Sequence, residues 1–111
     1  MSHWGYDMDT DPGTVPSYSS PTPRMHTFWL SQKSGRKYWV NGGVNPDKSN
    51  STMTTALAAN PGASLGMPAG LGLIYTGDIA EVIIFARDLK NEERQAIESY
   101  LSKKYNITIS G

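Results

Sequence analysis

Cysteine is absent from the 111 residues. That removes disulfides, thiolate catalysis and cysteine-ligated zinc, and it leaves the redox compartment open. An excess of either charge is missing too. Ten Lys and Arg balance ten Asp and Glu, so no field steers the chain toward nucleic acid or an anionic membrane. No apolar run approaches the roughly 18 residues of a membrane helix, so membrane insertion is not expected. The opening Met1-Ser-His-Trp-Gly-Tyr-Asp7 lacks the basic start and apolar centre of a signal peptide. The settings left are the cytoplasm, a virion, export without such a signal, or a piece of a chain whose signal lay upstream. Histidine is scarce: His3 and His26 stand in no metal-ligand spacing and beside no nucleophile. No triad or phosphate loop is present, so an enzyme is not expected.

Residues 1–23 lack Lys and Arg but hold Asp7, Asp9, Asp11 and four prolines, Pro12, Pro16, Pro21 and Pro23. Proline at that density interrupts ladders and leaves mostly loop. This acidic segment is set apart from residues 24–111. Its Asp7-Met-Asp-Thr-Asp11 has the alternating acids that open a calcium loop. Asp7, Asp9 and Asp11 are therefore the candidate metal ligands. The loop rule wants Gly at the sixth position and Glu at the twelfth. Pro12 and Tyr18 stand there, as a solvated acidic turn allows. No other cofactor is implied.

Arg24–Gln32 is rich in β-formers, Lys33–Arg36 is a turn around Gly35, and Lys37–Asn41 is a second strand that Gly42-Gly43 ends. The two runs predict an antiparallel hairpin. Alternation puts Phe28, Leu30, Tyr38 and Val40 on one face and Trp29 and Trp39 on the other. If the first set is the core, both tryptophans share the outer face. Aromatic rings there stack on sugars or anchor a protein contact. They also suit a cross-strand pair under the proline-rich segment. Trp29, Trp39 and the neighbouring Asn41 form the candidate ligand-binding set.

Residues 49–77 carry no charge and five of the eleven glycines. One helical turn at 55–59, a short strand at 63–67 and a loop at 68–72 fit this stretch. The composition suits a packed surface or a small-residue loop equally. Ile79 to Ala86 is the strongest strand, apolar on both faces except for Glu81, and such a strand needs cover on both sides. The helix expected from about Asn91 to Lys104 has an apolar stripe of Ala96, Ile97, Tyr100 and Leu101, with Arg94, Gln95, Glu98, Ser102 and Lys103 on its wet face. Ile97 and Leu101 are expected against strand 79–86. Glu92 and Glu93 near the start and Lys103 and Lys104 near the end suit the macrodipole. Asn91 is the expected N-cap, because Lys90 offers no acceptor. Asn106 suits the left-handed residue that ends a helix, with Ile107 folding back. The sequons Asn50-Ser-Thr52 and Asn106-Ile-Thr108 matter only in a glycosylating host.

Three stretches carry a family resemblance: Tyr38-Trp-Val-Asn-Gly42, Ser64-Leu-Gly66, and above all Gly77–Ile84 with Leu89–Leu101. Together they resemble the second half of bacterial and phage concanavalin A-like, laminin-G-like jelly rolls, over roughly residues 26–107. The resemblance implies an all-β, incomplete jelly-roll sandwich with one C-terminal α-helix. It also implies a non-catalytic glycan-recognition or adhesion module of an extracellular or virion protein. The alternative is a structural subunit of a filament, capsid or tail with no ligand of its own. The glucanases of that superfamily alternate two Glu and an Asp along one strand. Here Asp78 and Glu81 fall on opposite faces, so that chemistry is not expected. The first half of the jelly roll is not among these residues. Another chain, an identical copy or one carrying the missing half, is expected to complete the sheets by edge pairing.

Overall fold

The computed structural model describes residues 22–52, 54, 65 and 76–111. Two compact units divide the chain: Met1–Ala56 with Arg87–Gly111, and Leu57–Ala86. In the first, β1 (His26–Ser31), β2 (Gly35–Val40) and β3 (Lys48–Asn50) form an antiparallel sheet in the order β1-β2-β3, and α1 (Asn91–Tyr105) follows. The expected hairpin is therefore present, along with the C-terminal helix.

The turn between β1 and β2 is built on Ser31. Its hydroxyl oxygen accepts the backbone N–H of Lys33 at 3.1 Å and of Ser34 at 3.3 Å. Gly35 then enters β2 at φ +84°, in the left-handed region that favours glycine. A Cβ there would lie 2.1 Å from the carbonyl oxygen of Asn50, so only glycine lets β3 approach. The far end of the hairpin is closed by Asn41. Its N–H donates to the Met25 carbonyl at 2.7 Å, and its side-chain oxygen accepts the Met25 N–H at 3.0 Å.

β3 is an element that the sequence did not announce. Lys48-Ser-Asn50 is polar and largely exposed, with little of the β-former character that marks β1 and β2. Asp47 delivers it to the edge of β2. Its N–H donates to the Tyr38 carbonyl at 2.9 Å, and its carboxylate accepts the Val40 N–H at 2.7 Å. Tyr38↔Lys48 then sets the register.

Helix α1 begins one residue earlier in role than expected. Lys90, not Asn91, occupies the cap position, with φ −68° and ψ 157°. Its side chain carries only N–H donors and makes no capping bond. Glu93 supplies the other half of a capping box: its carboxylate accepts the Lys90 N–H at 2.8 Å and is gripped by Arg87 at 2.8 and 2.9 Å. Those bonds hold the Glu93 carboxyl down at about 2 and raise the Arg87 guanidinium. The C-terminal end follows the sequence reading. Asn106 takes φ 53° and ψ 47°, and the Ile107 N–H returns to the Ser102 carbonyl at 2.9 Å, which buries Ile107.

Two expectations fail. Ile79–Ala86 is not a strand: none of these residues joins a ladder, and all are exposed. Ile97 and Leu101 are half-buried rather than core residues. Alternating or continuous apolarity encodes a demand for burial, but a strand exists only once a neighbour accepts its backbone bonds. The helix is also turned. Arg94 and Glu98, expected in water, are among the most buried residues, while Ala96 and Tyr100 of the expected apolar stripe are exposed. The expected elements at 55–59, 63–67 and 68–72 lie wholly or almost wholly outside the described residues, as does the acidic segment up to residue 21.

Candidate functional site

The polar face of α1 meets the tryptophan face of the sheet. Arg94 and Glu98 are one helical turn apart, the spacing at which side chains touch. Arg94 Nη1 donates to Glu98 Oε2 at 2.5 Å, and Arg94 Nη2 donates to the Gly43 carbonyl at 2.9 Å. Both side chains are 3% exposed. The guanidinium carbon lies 4.0 Å from the centroid of the Trp39 ring, a cation–π contact in a water-poor setting. Trp39 itself is 2% exposed.

The turn after β2 makes room for this pair. Asn41, Gly42 and Gly43 follow one another at φ 59°, 72° and 116°, three consecutive residues outside the usual L-residue regions. A Cβ on Gly42 would stand 2.9 Å from Glu98 Oε2. The second glycine turns its carbonyl toward Arg94. The sequence signal for this was present in Asn41-Gly42-Gly43, which reads as a strand end but equally as a close approach of another element.

Some polar atoms inside the cluster stay unmatched. Glu98 Oε1, Trp39 Nε1 and Arg94 Nε are buried with no hydrogen-bond partner. A buried ion pair is not by itself a source of stability, because desolvation offsets the attraction. Here the second Arg94 bond and the ring beneath the guanidinium offset part of that cost. The arrangement clamps helix to sheet. It presents no nucleophile, and no group of three metal-ligating side chains occurs among the described residues.

Of the residues proposed from sequence, Trp29, Trp39 and Asn41 lie among the described residues. Trp29 and Trp39 do share a face, since Thr27 pairs with Trp39 and Trp29 with Lys37. That face is not an open platform. Trp39 is covered by Arg94. Trp29 Nε1 donates to the Leu89 carbonyl at 3.2 Å, and the Lys37 ammonium sits 4.7 Å from its ring. Placing the core on the face of Phe28, Leu30, Tyr38 and Val40 alone misses Trp39, which is buried beneath the charged pair of α1. Asn41 spends its side-chain oxygen on Met25. Asp7, Asp9 and Asp11 lie outside the described residues.

The opposite sheet face holds a second polar contact. His26 Nδ1 and the Tyr38 hydroxyl are 2.6 Å apart, with their rings stacked at 6.0 Å and Phe28 tilted against Tyr38 at 4.8 Å. Burial pushes the His26 imidazole below its ordinary value, and the Arg24 charge acts in the same direction. A neutral ring accepts the Tyr38 O–H or donates to its oxygen, according to the tautomer.

No family model, curated protein or solved structure matches the chain. The site therefore has to be read from its own chemistry.

Proposed function

We propose that this chain is a non-catalytic assembly module, the C-terminal part of a jelly-roll sandwich whose remaining strands come from another polypeptide. One observation carries the reading. Ile79, Val82, Ile83, Ile84 and Phe85 are all exposed, Ile84 at 87%, and their segment joins no ladder. Contiguous apolar surface of this kind marks interaction sites on soluble proteins. β-Former sequence without a strand partner is the raw material of strand addition.

Glycan recognition has less support. Stacking on a sugar needs an open aromatic face, and the Trp39 ring is buried under Arg94. The Trp29 ring keeps only the surface that Lys37 leaves. An extracellular or virion assembly is the setting that goes with the jelly-roll reading. The test is the mass of the chain in dilute solution, by sedimentation, together with hydrogen exchange at residues 79–85. The expected result is a mass above 12.1 kDa, with those amides protected only in the associated state. A soluble monomer in which they are protected refutes the proposal, because the chain then covers the segment by itself.

A further inference from the structure

The sequon Asn50-Ser-Thr52 has no part in the assembly reading, yet the fold gives it a defined geometry. Asn50 is the last residue of β3. Its backbone is pinned: it pairs with Arg36 of β2, and its carbonyl oxygen lies where a Cβ on Gly35 would come within 2.1 Å. Past it the chain leaves the sheet, and Ser51 and Thr52 form an exposed turn. That turn sets the side chain. Asn50 Oδ1 accepts the Thr52 backbone N–H at 3.1 Å and the Thr52 hydroxyl at 2.7 Å. A backbone N–H can only donate, so the atom facing Thr52 is the oxygen. Nδ2 makes no hydrogen bond among the described residues.

This arrangement suits one reaction. An amide nitrogen is a poor nucleophile because its lone pair is delocalised onto the carbonyl. It gains reactivity when a proton leaves Nδ2 and negative charge moves to Oδ1. Two donors already aimed at Oδ1 stabilise the charge that develops there. With a glycosyl diphosphate, the bond from Nδ2 to the sugar C1 forms while the bond from C1 to the diphosphate oxygen breaks. The diphosphate leaves with the bonding pair, and the Nδ2 proton passes to a base of the transferase. Asn-x-Ser/Thr is the acceptor pattern of that transfer.

The second sequon, Asn106-Ile-Thr108, has the same pattern and a different geometry. Asn106 occupies the left-handed end of α1. Ile107 is buried, its N–H donates to the Ser102 carbonyl at 2.9 Å, and its carbonyl accepts the Ser102 hydroxyl at 2.5 Å. No hydrogen bond joins Asn106 to Thr108 among the described residues. A transferase cleft must take all three residues of a sequon, and here the middle one is locked into the fold.

We propose that Asn50 is a glycan acceptor, modified on Nδ2 in the folded chain by transfer from a glycosyl diphosphate, and that Asn106 is not. Asn50 lies outside the apolar run at 79–85, so this holds whether or not the chain assembles. β3 is an outer strand of the sheet, and a bulky solvated sugar at its end blocks a further strand from adding there. The sugar also brings a solvated group to the start of residues 49–77, which carry no charge.

The test takes the purified full chain through two arms. One uses a soluble N-glycosyltransferase with nucleotide-activated glucose, the other a membrane oligosaccharyltransferase with a polyprenyl-diphosphate-linked oligosaccharide. Intact mass and peptide mapping read the site. Asn50 is expected to gain sugar in at least one arm, which identifies the source of the donor, with Asn106 slower by roughly tenfold or more. Short peptides spanning 47–55 and 103–111 lack the fold and are expected to lose that preference. Thr52→Val removes the 2.7 Å hydroxyl bond at nearly equal volume. It should slow transfer to Asn50 by roughly tenfold or more, while Thr52→Ser retains it. No transfer to Asn50 of the folded chain in either arm overturns the proposal, whether or not the peptides react. Equal labelling of Asn50 and Asn106 in the folded chain, a preference kept by the peptides, or an undiminished rate in Thr52→Val overturns it too, because the folded geometry would then play no part.

Discussion

Removal of one member of the Arg94–Glu98 pair is the sharpest probe of how helix and sheet are held. Arg94→Ala deletes the 2.5 Å bond to Glu98 and the 2.9 Å bond to Gly43, and it uncovers the Trp39 ring. The Glu98 carboxylate is then left in a site only 3% exposed. Breaking a buried pair from one side costs about 3–5 kcal/mol. Each kcal/mol lowers Tm by roughly 4–8 °C in a domain of this size. The expected fall is therefore at least about 12 °C. Glu98→Ala should cost a similar amount, because it strands the guanidinium. The double change Arg94→Met with Glu98→Leu keeps volume and removes both charges, and it should be much milder than either single change, within about 1 kcal/mol of the parent. The assay is thermal unfolding followed by helix circular dichroism and by Trp39 fluorescence. If each single change costs under about 1 kcal/mol, the pair is solvated and the clamp does not exist. If the double change is as damaging as the two singles added together, the pair is irreplaceable for a reason other than buried charge.

Gly42→Ala should destabilise the chain by about 1–3 kcal/mol in chemical denaturation, since it meets a positive φ and Glu98 Oε2 at 2.9 Å together; an unchanged midpoint would mean that the turn relaxes freely. The His26 imidazole sits below its ordinary 6.5, so the neutral ring is the form the fold prefers. Its contribution is intact above 6.5 and is lost as pH falls toward the folded-state value, and His26→Gln should flatten Tm against pH over that window. The Glu93 carboxyl, lowered from 4.5 to about 2, contributes in full above 4.5 and loses its contribution as pH falls through about 2. Amide exchange in the first turn of α1 should accelerate there, and Glu93→Gln should remove that pH dependence. Lys90→Ser supplies the missing cap acceptor and should raise stability by about 1 kcal/mol, read as a higher Tm.

The hairpin was legible because its signals are local. The β-formers in β1 and β2 and the turn around Gly35 act within one short stretch of chain. The helix end was legible for the same reason: Asn106 pays little for the left-handed region, and Ile107 follows it. What was not legible depends on partners distant in sequence. β3 has no propensity of its own and exists because Asp47 ties it to Tyr38 and Val40. The buried face of α1 was assigned to the apolar stripe because Arg94 and Glu98 were counted as two separate charges. Taken as a pair at one-turn spacing beside a tryptophan and a glycine turn, they are neutral together and can be buried. The sequence left the tryptophan face either open or covered by the proline-rich segment; it did not show that the cover of Trp39 is a charged side chain 55 residues further along the chain (Trp39 to Arg94).

These reversals have a common physical consequence. The helix spends its polar pair on its own sheet and leaves Ala96 and Tyr100 in solvent. The segment at 79–85 leaves its apolar side chains in solvent as well. Burying a matched ion pair yields little net stability, whereas each large apolar side chain buried yields about 1.5–3 kcal/mol. In the assembly proposed above, burial of these exposed aliphatic side chains would therefore be the largest source of free energy.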